Sequence, residues 1–284
     1  MANFNLERGP GNYLLLRSIF TDRSGTPAFR LALPQGFEKD PGGRALALRE
    51  QSEGGYEIAL RRTVLKALAR GDAFIDIGAH WGVHSLTAAT VGPRDVYVLP
   101  LEPHPQNLTV LTTAIAVNDL GRRVIPIAAA AGNGIGLAPL MGGMGSMGHS
   151  VLGRNSPDQA KRPPELLVPT VSLDVLPRLR PNLKGRPLVI KIDVEGLEPE
   201  VVAGGKDLIA SGIVKMLIVE KGHATKTPDG RARFLEMTDY LASQGFSLFR
   251  LTSRQPDDKL APFRMSEDFF DVVAINPKRL PVPS

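Results

Sequence analysis

The 284-residue chain has no cysteine. Disulfides, cysteine–zinc centres and thiol nucleophiles are excluded with it, and the absence fits a reducing compartment, so a cytoplasmic location is expected. Aromatic side chains with polar handles are few, one tryptophan and four tyrosines, and no basic–aromatic stripe of the kind that grips nucleic acid is present. The net charge is +5, yet lysines and arginines never run longer than a pair such as Arg61-Arg62 or Arg122-Arg123. Charge dispersed in this way reads as solvated surface, so nucleic acid is not favoured as a partner. No stretch approaches the roughly 18 to 20 uninterrupted apolar residues of a membrane span. Residues 1–20 lack the apolar block and small-residue cleavage site of an export signal. No dedicated metal pattern is present either, so no metal is expected.

What is present reads as an ordinary globular chain, 43% hydrophobic and 22% charged, with 24 prolines and 29 glycines that set many turns. Residues 1–53 read as a β-rich N-terminal extension. Its short apolar runs at 13–16 and 29–33 are flanked by Gly-Pro, Ser-Gly-Thr-Pro and Asp-Pro-Gly-Gly turn signals. From 56 to 69, Ile58, Leu60, Val64, Leu65 and Leu68 recur at helical spacing until Gly71 stops the pattern. Apolar strands then alternate with helical patterns through residues 54–284. The strands are expected at 73–77, 96–101, 124–129, 188–192 and 214–219, followed by a closing antiparallel pair at 246–251 and 270–275. Buried-type strands alternating with helices predict an α/β fold, a mostly parallel sheet with helices on both faces and the ligand at the carboxyl ends of its strands. An insertion at 131–170, rich in glycine and methionine around Met141–Met147, reads either as a cover over the site or as a plain hairpin with a flexible tip.

Three strand ends carry the chemistry. The first runs Asp76-Ile77-Gly78-Ala79-His80-Trp81-Gly82. Its glycines let the backbone turn sharply and approach a ligand closely. The Asp-x-Gly-x-x-x-Gly spacing, with an acid before the turn, differs from the Gly-x-Gly-x-x-Gly of dinucleotide sites. It suits a ligand with an ammonium group and no phosphate, as at the aminoacyl end of S-adenosylmethionine. The second, Leu101-Glu102-Pro103, places an acid where a ribose diol can donate to it. The third, Lys191-Ile192-Asp193-Val194-Glu195-Gly196, brings Asp193 out of a buried strand, where a carboxylate requires a partner. Glu198 reads as a helix-start cap, and Glu220 ends the fifth strand in the manner of Asp193.

These residues resemble the FkbM-type methyltransferases. The matching pieces are Tyr56-Glu57, Gly71-Asp72 through Gly82, Glu102-Pro103, Ser172-Leu173-Asp174, the run from Ile190 to Glu198, Gly204-Gly205 and Glu220. His80 stands where the family usually has asparagine. The resemblance implies a Rossmann-like, seven-stranded, mostly parallel sheet with its last strand antiparallel, and S-adenosyl-L-methionine as cofactor. It implies cofactor contacts from Tyr56, Glu57, Asp76, Gly78, His80, Gly82, Glu102, Ala129 and Asp193, with Glu102 on the ribose and Ala129 beside the adenine. The reaction it implies is O-methylation of a small hydroxylated acceptor, a sugar, polysaccharide or polyketide-type natural product. Asp193, Glu220 and His149 are the leading candidates for catalytic roles, with His84 and His223 as further candidate bases. A homo-oligomer is left open. Two rivals also stay open, an RNA ribose 2′-O-methyltransferase and a non-catalytic protein that keeps the fold.

Overall fold

Strands β4 (Ala73–Ile77), β5 (Tyr97–Leu101) and β10 (Leu188–Ile192) are buried at every position. A strand can be apolar on both faces only where both faces are covered. The computed structural model describes residues 4–21, 25–52, 55–142, 150–151, 163–251, 259–266 and 270–283, the side chains of 150, 151, 223 and 224 excepted. Its central sheet has the order β13-β12-β14-β11-β10-β4-β5, where β11 is Val214–Glu220, β12 Ser247–Leu251, β13 Leu260–Pro262 and β14 Asp271–Ile275. β5, β4, β10 and β11 run parallel, whereas β14, β12 and β13 pair antiparallel with their neighbours. The antiparallel part therefore extends beyond the last strand.

Alternate residues of each strand enter two hydrophobic layers. Phe74, Val98, Val189 and Ile218 pack with α1 (Pro41–Gln51), α2 (Ile58–Ala67), α3 (Val83–Thr90) and α4 (Pro105–Val117). Ile75, Leu99, Ile190 and Leu217 pack with α5 (Leu176–Leu179), α6 (Glu198–Ala203), α7 (Lys206–Ala210) and α8 (Pro228–Ser243). The N-terminal strands β1 (Leu6–Arg8), β2 (Tyr13–Arg17) and β3 (Arg30–Pro34) form an antiparallel sheet, and their Leu16, Leu31 and Leu33 join the first layer.

Two expectations change. The segment expected as a strand at 124–129 lies parallel to β5 but makes only isolated bridges, Val98 with Val124 and Leu101 with Ile127. Hydrogen bonds run from Ile125 N–H to Val98 O and from Ile127 N–H to Pro100 O. The intervening rung would need an N–H from Pro100, which proline lacks, so the ladder breaks there. The Asp-Pro-Gly-Gly at 40–43, expected as a turn, instead starts helix α1: Asp40 caps it by accepting from Gly42 N–H at 2.9 Å, and Pro41 occupies the first helical turn. Gly43 is required by a neighbour, because a Cβ there would fall 2.1 Å from the Trp81 ring.

The insertion builds a four-stranded sheet of order β6-β9-β7-β8, with β6 Ala130–Ala131, β7 Gly136–Met141, β8 Ser150–Val151 and β9 Leu166–Val171. Its Ala130, Ala131 and Leu140 face the cleft described next.

Candidate active site

Because β5, β4 and β10 are adjacent and parallel, their carboxyl ends open on one side of the sheet. There they border an open cleft. The turn after β4 shapes its floor. Gly78 has a left-handed backbone at φ 74°, and a Cβ on it would lie 1.8 Å from the Asp193 carbonyl oxygen, so only glycine fits between the two strand ends. Leu101 O accepts from both Gly78 N–H and Ala79 N–H at 3.0 Å, which ties the turn to β5. His80 is also left-handed, at φ 51°, a conformation that asparagine and histidine tolerate better than most side chains. Its ring stacks on Trp81 at 4.9 Å, and Trp81 Nε1–H donates to Asn107 Oδ1 at 3.1 Å.

Glu102, on the chain just after β5, is buried. Its Oε2 accepts from His80 N–H at 2.8 Å and its Oε1 from His104 N–H at 2.9 Å. Burial pushes its carboxyl up to about 7 in spite of the N–H groups of His104 and His80. Asn107 Nδ2 also donates to Oε1 at 3.4 Å, so Oε2 keeps the second acceptor position that a hydroxyl in the cleft can use.

Lys191 is the buried cation beneath these groups. Its Nζ lies 3.3 Å from Gly78 O, 3.2 Å from Asp193 Oδ2 and 3.5 Å from Asp76 Oδ1. Burial works against the ammonium, but the charges of Asp193, Asp76 and Glu57 outweigh it and hold the lysine well above its ordinary range. Asp193 is partly exposed at 29% and lines the cleft. Burial, and then the Asp193 carboxylate that shares a hydrogen bond with it, raise Glu220 well above the carboxylate range. The shared hydrogen bond and the burial both favour the neutral form of Glu220.

Among the expected cofactor residues, the structure brings Tyr56, Glu57, Gly78, His80, Glu102, Ala129 and Asp193 to the cleft wall. Asp76 sits below it, fully buried, accepting from Ser85 Oγ at 2.6 Å beside Lys191. Gly82 lies one turn away, where a Cβ would meet Leu111 at 2.3 Å. Among the catalytic candidates, Asp193 faces the cleft and Glu220 stands behind it, while His149 lies outside the described residues. His223 is described in its backbone alone. His84 reaches the cleft with its Nε2 3.0 Å from Glu57 Oε2. Lys191 enters the site although it reads as one residue of an apolar strand, and a lone cation between Ile190 and Ile192 was the signal for it.

Other matched residues hold the frame. Glu198 accepts from Val194 N–H at 3.0 Å and Gly196 N–H at 3.1 Å, closing the turn that carries Glu195. Asp174 accepts from Leu208 N–H at 2.8 Å at the start of α7. Gly204 lets the chain pass Gly132 O, 2.1 Å from where its Cβ would be.

Residues 76–248 match a family described as the methyltransferase FkbM domain. No curated protein matches the sequence. Among solved structures, the chain is similar to a methyltransferase FkbM from Methylobacillus flagellatus KT, with 16% identity and a TM-score of 0.51. That likeness covers 80% of this chain and 49% of the other, so the chain spans about half the length of that protein. A second similar structure is an O-methyltransferase from Bacillus cereus in complex with SAH, with 14% identity, 84% and 90% of the two chains covered and a TM-score of 0.47. At 16% identity the first likeness speaks for the fold alone.

Proposed function

The chain belongs to the FkbM methyltransferase family, and from that premise we propose that it transfers a methyl group from S-adenosyl-L-methionine to a hydroxyl of a small acceptor, a sugar, polysaccharide or polyketide-type compound. One juxtaposition supports this reading most: Gly78, Glu102 and Asp193, from the ends of three adjacent parallel strands, wall a single cleft. The donor fits what lines it. Small residues Gly78, Ala79 and Ala129 leave room for a flat ligand, and the acids Glu57, Glu102 and Asp193 suit hydroxyl and cationic groups.

When bound, the donor supplies an electrophilic methyl on a sulfonium. The protein's part is to position the two reactants and to manage one proton. Glu102 would hold the ribose, accepting from its hydroxyls at the position that His80 leaves on Oε2. Asp193, held by Lys191 on one side and hydrogen-bonded with Glu220 on the other, orients the acceptor hydroxyl and takes its proton as the new bond forms. The insertion sheet, through Leu140 and Ala131, helps exclude water from the cleft.

Incubating the protein with methyl-tritiated donor and separate pools of small hydroxylated compounds and total RNA tests the reading. Label is expected in the small-compound pool. Label confined to RNA would overturn the acceptor class, and label in neither, with the donor bound, would favour a non-catalytic role.

A further inference from the structure

Glu102 is set in the cleft wall by donors from two elements. His80 N–H, from the turn after β4, reaches Oε2 at 2.8 Å. At the start of α4, His104 N–H and Asn107 Nδ2 reach Oε1 at 2.9 and 3.4 Å. His104 extends further, into the insertion. It stands at the N-terminal cap position of α4, yet its side chain makes no capping hydrogen bond. The ring is buried instead with Nε2 3.4 Å from Oε1 of Glu165, the residue before β9. A carboxylate oxygen accepts, so Nε2–H is the donor. One residue thus joins two acids, its main chain to Glu102 and its ring to Glu165.

Glu165 is in turn fixed to the insertion sheet. Its N–H donates to Leu140 O at 2.9 Å, beside the pairing of Leu140 with Leu166. Leu140 lines the cleft. Gly142, just past β7, runs close to the acid, and a Cβ there would lie 3.1 Å from Glu165 Oε2. The Glu165 side chain is 44% exposed, and a contact so open to solvent adds little to folding stability. What it sets is position. It ties the insertion sheet, with Leu140, to the connection that carries Glu102 and Pro103 in the cleft wall.

We propose that Glu165 is a positioning residue for the methyl donor: through the His104 ring it holds His104 N–H against Glu102, and so sets the carboxylate that faces the ribose. The inference rests on the S-adenosylmethionine reading above. The insertion is then a working part of the donor seat. Filling the seat favours the arrangement in which Glu102, His104 and Glu165 are aligned, and the same arrangement keeps Leu140 at the cleft wall. Donor binding and the placement of the insertion sheet are thereby coupled, each favouring the other to the same degree.

The test is a double-mutant cycle, read by calorimetric titration of the full chain with S-adenosylhomocysteine. Glu165→Ala is expected to weaken binding about 3- to 5-fold, the scale of one partly exposed polar contact. Glu165→Gln, whose Oε1 still accepts from His104, should recover most of that loss. In the Glu102→Ala background, Glu165→Ala should change affinity by less than about 1.5-fold, because the group it positions is gone. The 2′,3′-dideoxy analogue of S-adenosylhomocysteine removes the same contact from the ligand side, and wild type and Glu165→Ala should bind it alike. That arm decides the matter if Glu102→Ala binds too weakly to titrate. An equal loss in both backgrounds, a glutamine variant as weak as the alanine one, or no loss in either background overturns the assignment. Wild type that does not bind S-adenosylhomocysteine overturns the cofactor reading beneath it.

Discussion

Arg61 and Glu50 form an ion pair at 2.6 Å in which neither side chain reaches solvent. The pair is placed to serve the cleft. Glu50 Oε2 also accepts from Tyr56 N–H at 3.1 Å, and Arg61 Nη1 donates to Tyr56 O at 3.2 Å, so both polar groups of the Tyr56 main chain are held next to Glu57. Glu50 accepts from Ile19 N–H at 3.4 Å as well, and Arg61 Nε donates to Thr87 Oγ1 at 2.9 Å. The N-terminal extension, α1, α2 and α3 thus meet at one node behind the cleft wall.

Removing one partner leaves the other charge buried and alone. Glu50→Ala should cost about 3–5 kcal/mol, whereas the double substitution Glu50→Leu with Arg61→Met should cost less than the single one. Urea denaturation of the three proteins checks this. A single variant no less stable than the double would show that the pair is not what holds the node.

Lys191 is expected to behave in the same way with a larger effect on the site. Lys191→Met strands Asp76, fully buried with Ser85 as its hydrogen-bonding side chain, and frees Asp193 from its cation. The loss should again be about 3–5 kcal/mol. Methyl transfer should fall further than stability accounts for, because Asp193 loses its orientation. Melting curves and turnover measured together separate the two, and a variant stable and fully active would remove Lys191 from the account.

Glu102 should make stability depend on pH. Its carboxyl sits at about 7 when folded, against an ordinary value of 4.5, because burial disfavours the charged form. Between those values the folded chain keeps a proton that the unfolded chain has released. The group's contribution is therefore complete below about pH 4.5 and is lost as pH rises through about 7, a change of about 3 kcal/mol. Chemical denaturation at acid and alkaline pH should show wild type losing about that much more than Glu102→Gln. Equal losses in the two proteins would contradict it.

The strand ends were legible because they are local. A glycine turn after a fully apolar strand, an acid at 102 and another at 193 each announce themselves within ten residues, and the sheet brings them together. Asp76 shows the limit of that reading: its place in the turn suggested a ligand contact, yet the pleat sends its side chain below the floor, to Ser85 and Lys191. The Glu57–His84 and Glu50–Arg61 pairs join residues 27 and 11 apart across different elements, and no periodicity marks such contacts. Helix α1 was hidden for another reason. Its Gly42-Gly43 start resembles a turn in sequence, and the need for Gly43 comes from Trp81, far along the chain.

The central claim is that the cleft at the ends of β4, β5 and β10 is an S-adenosylmethionine site. Calorimetric titration of the wild-type protein and Glu102→Ala with S-adenosylmethionine tests it most directly. The account predicts saturable binding by the wild type, weakened by about 1–3 kcal/mol in the variant. Absence of binding by a folded wild type, or equal affinity in the two proteins, would contradict it.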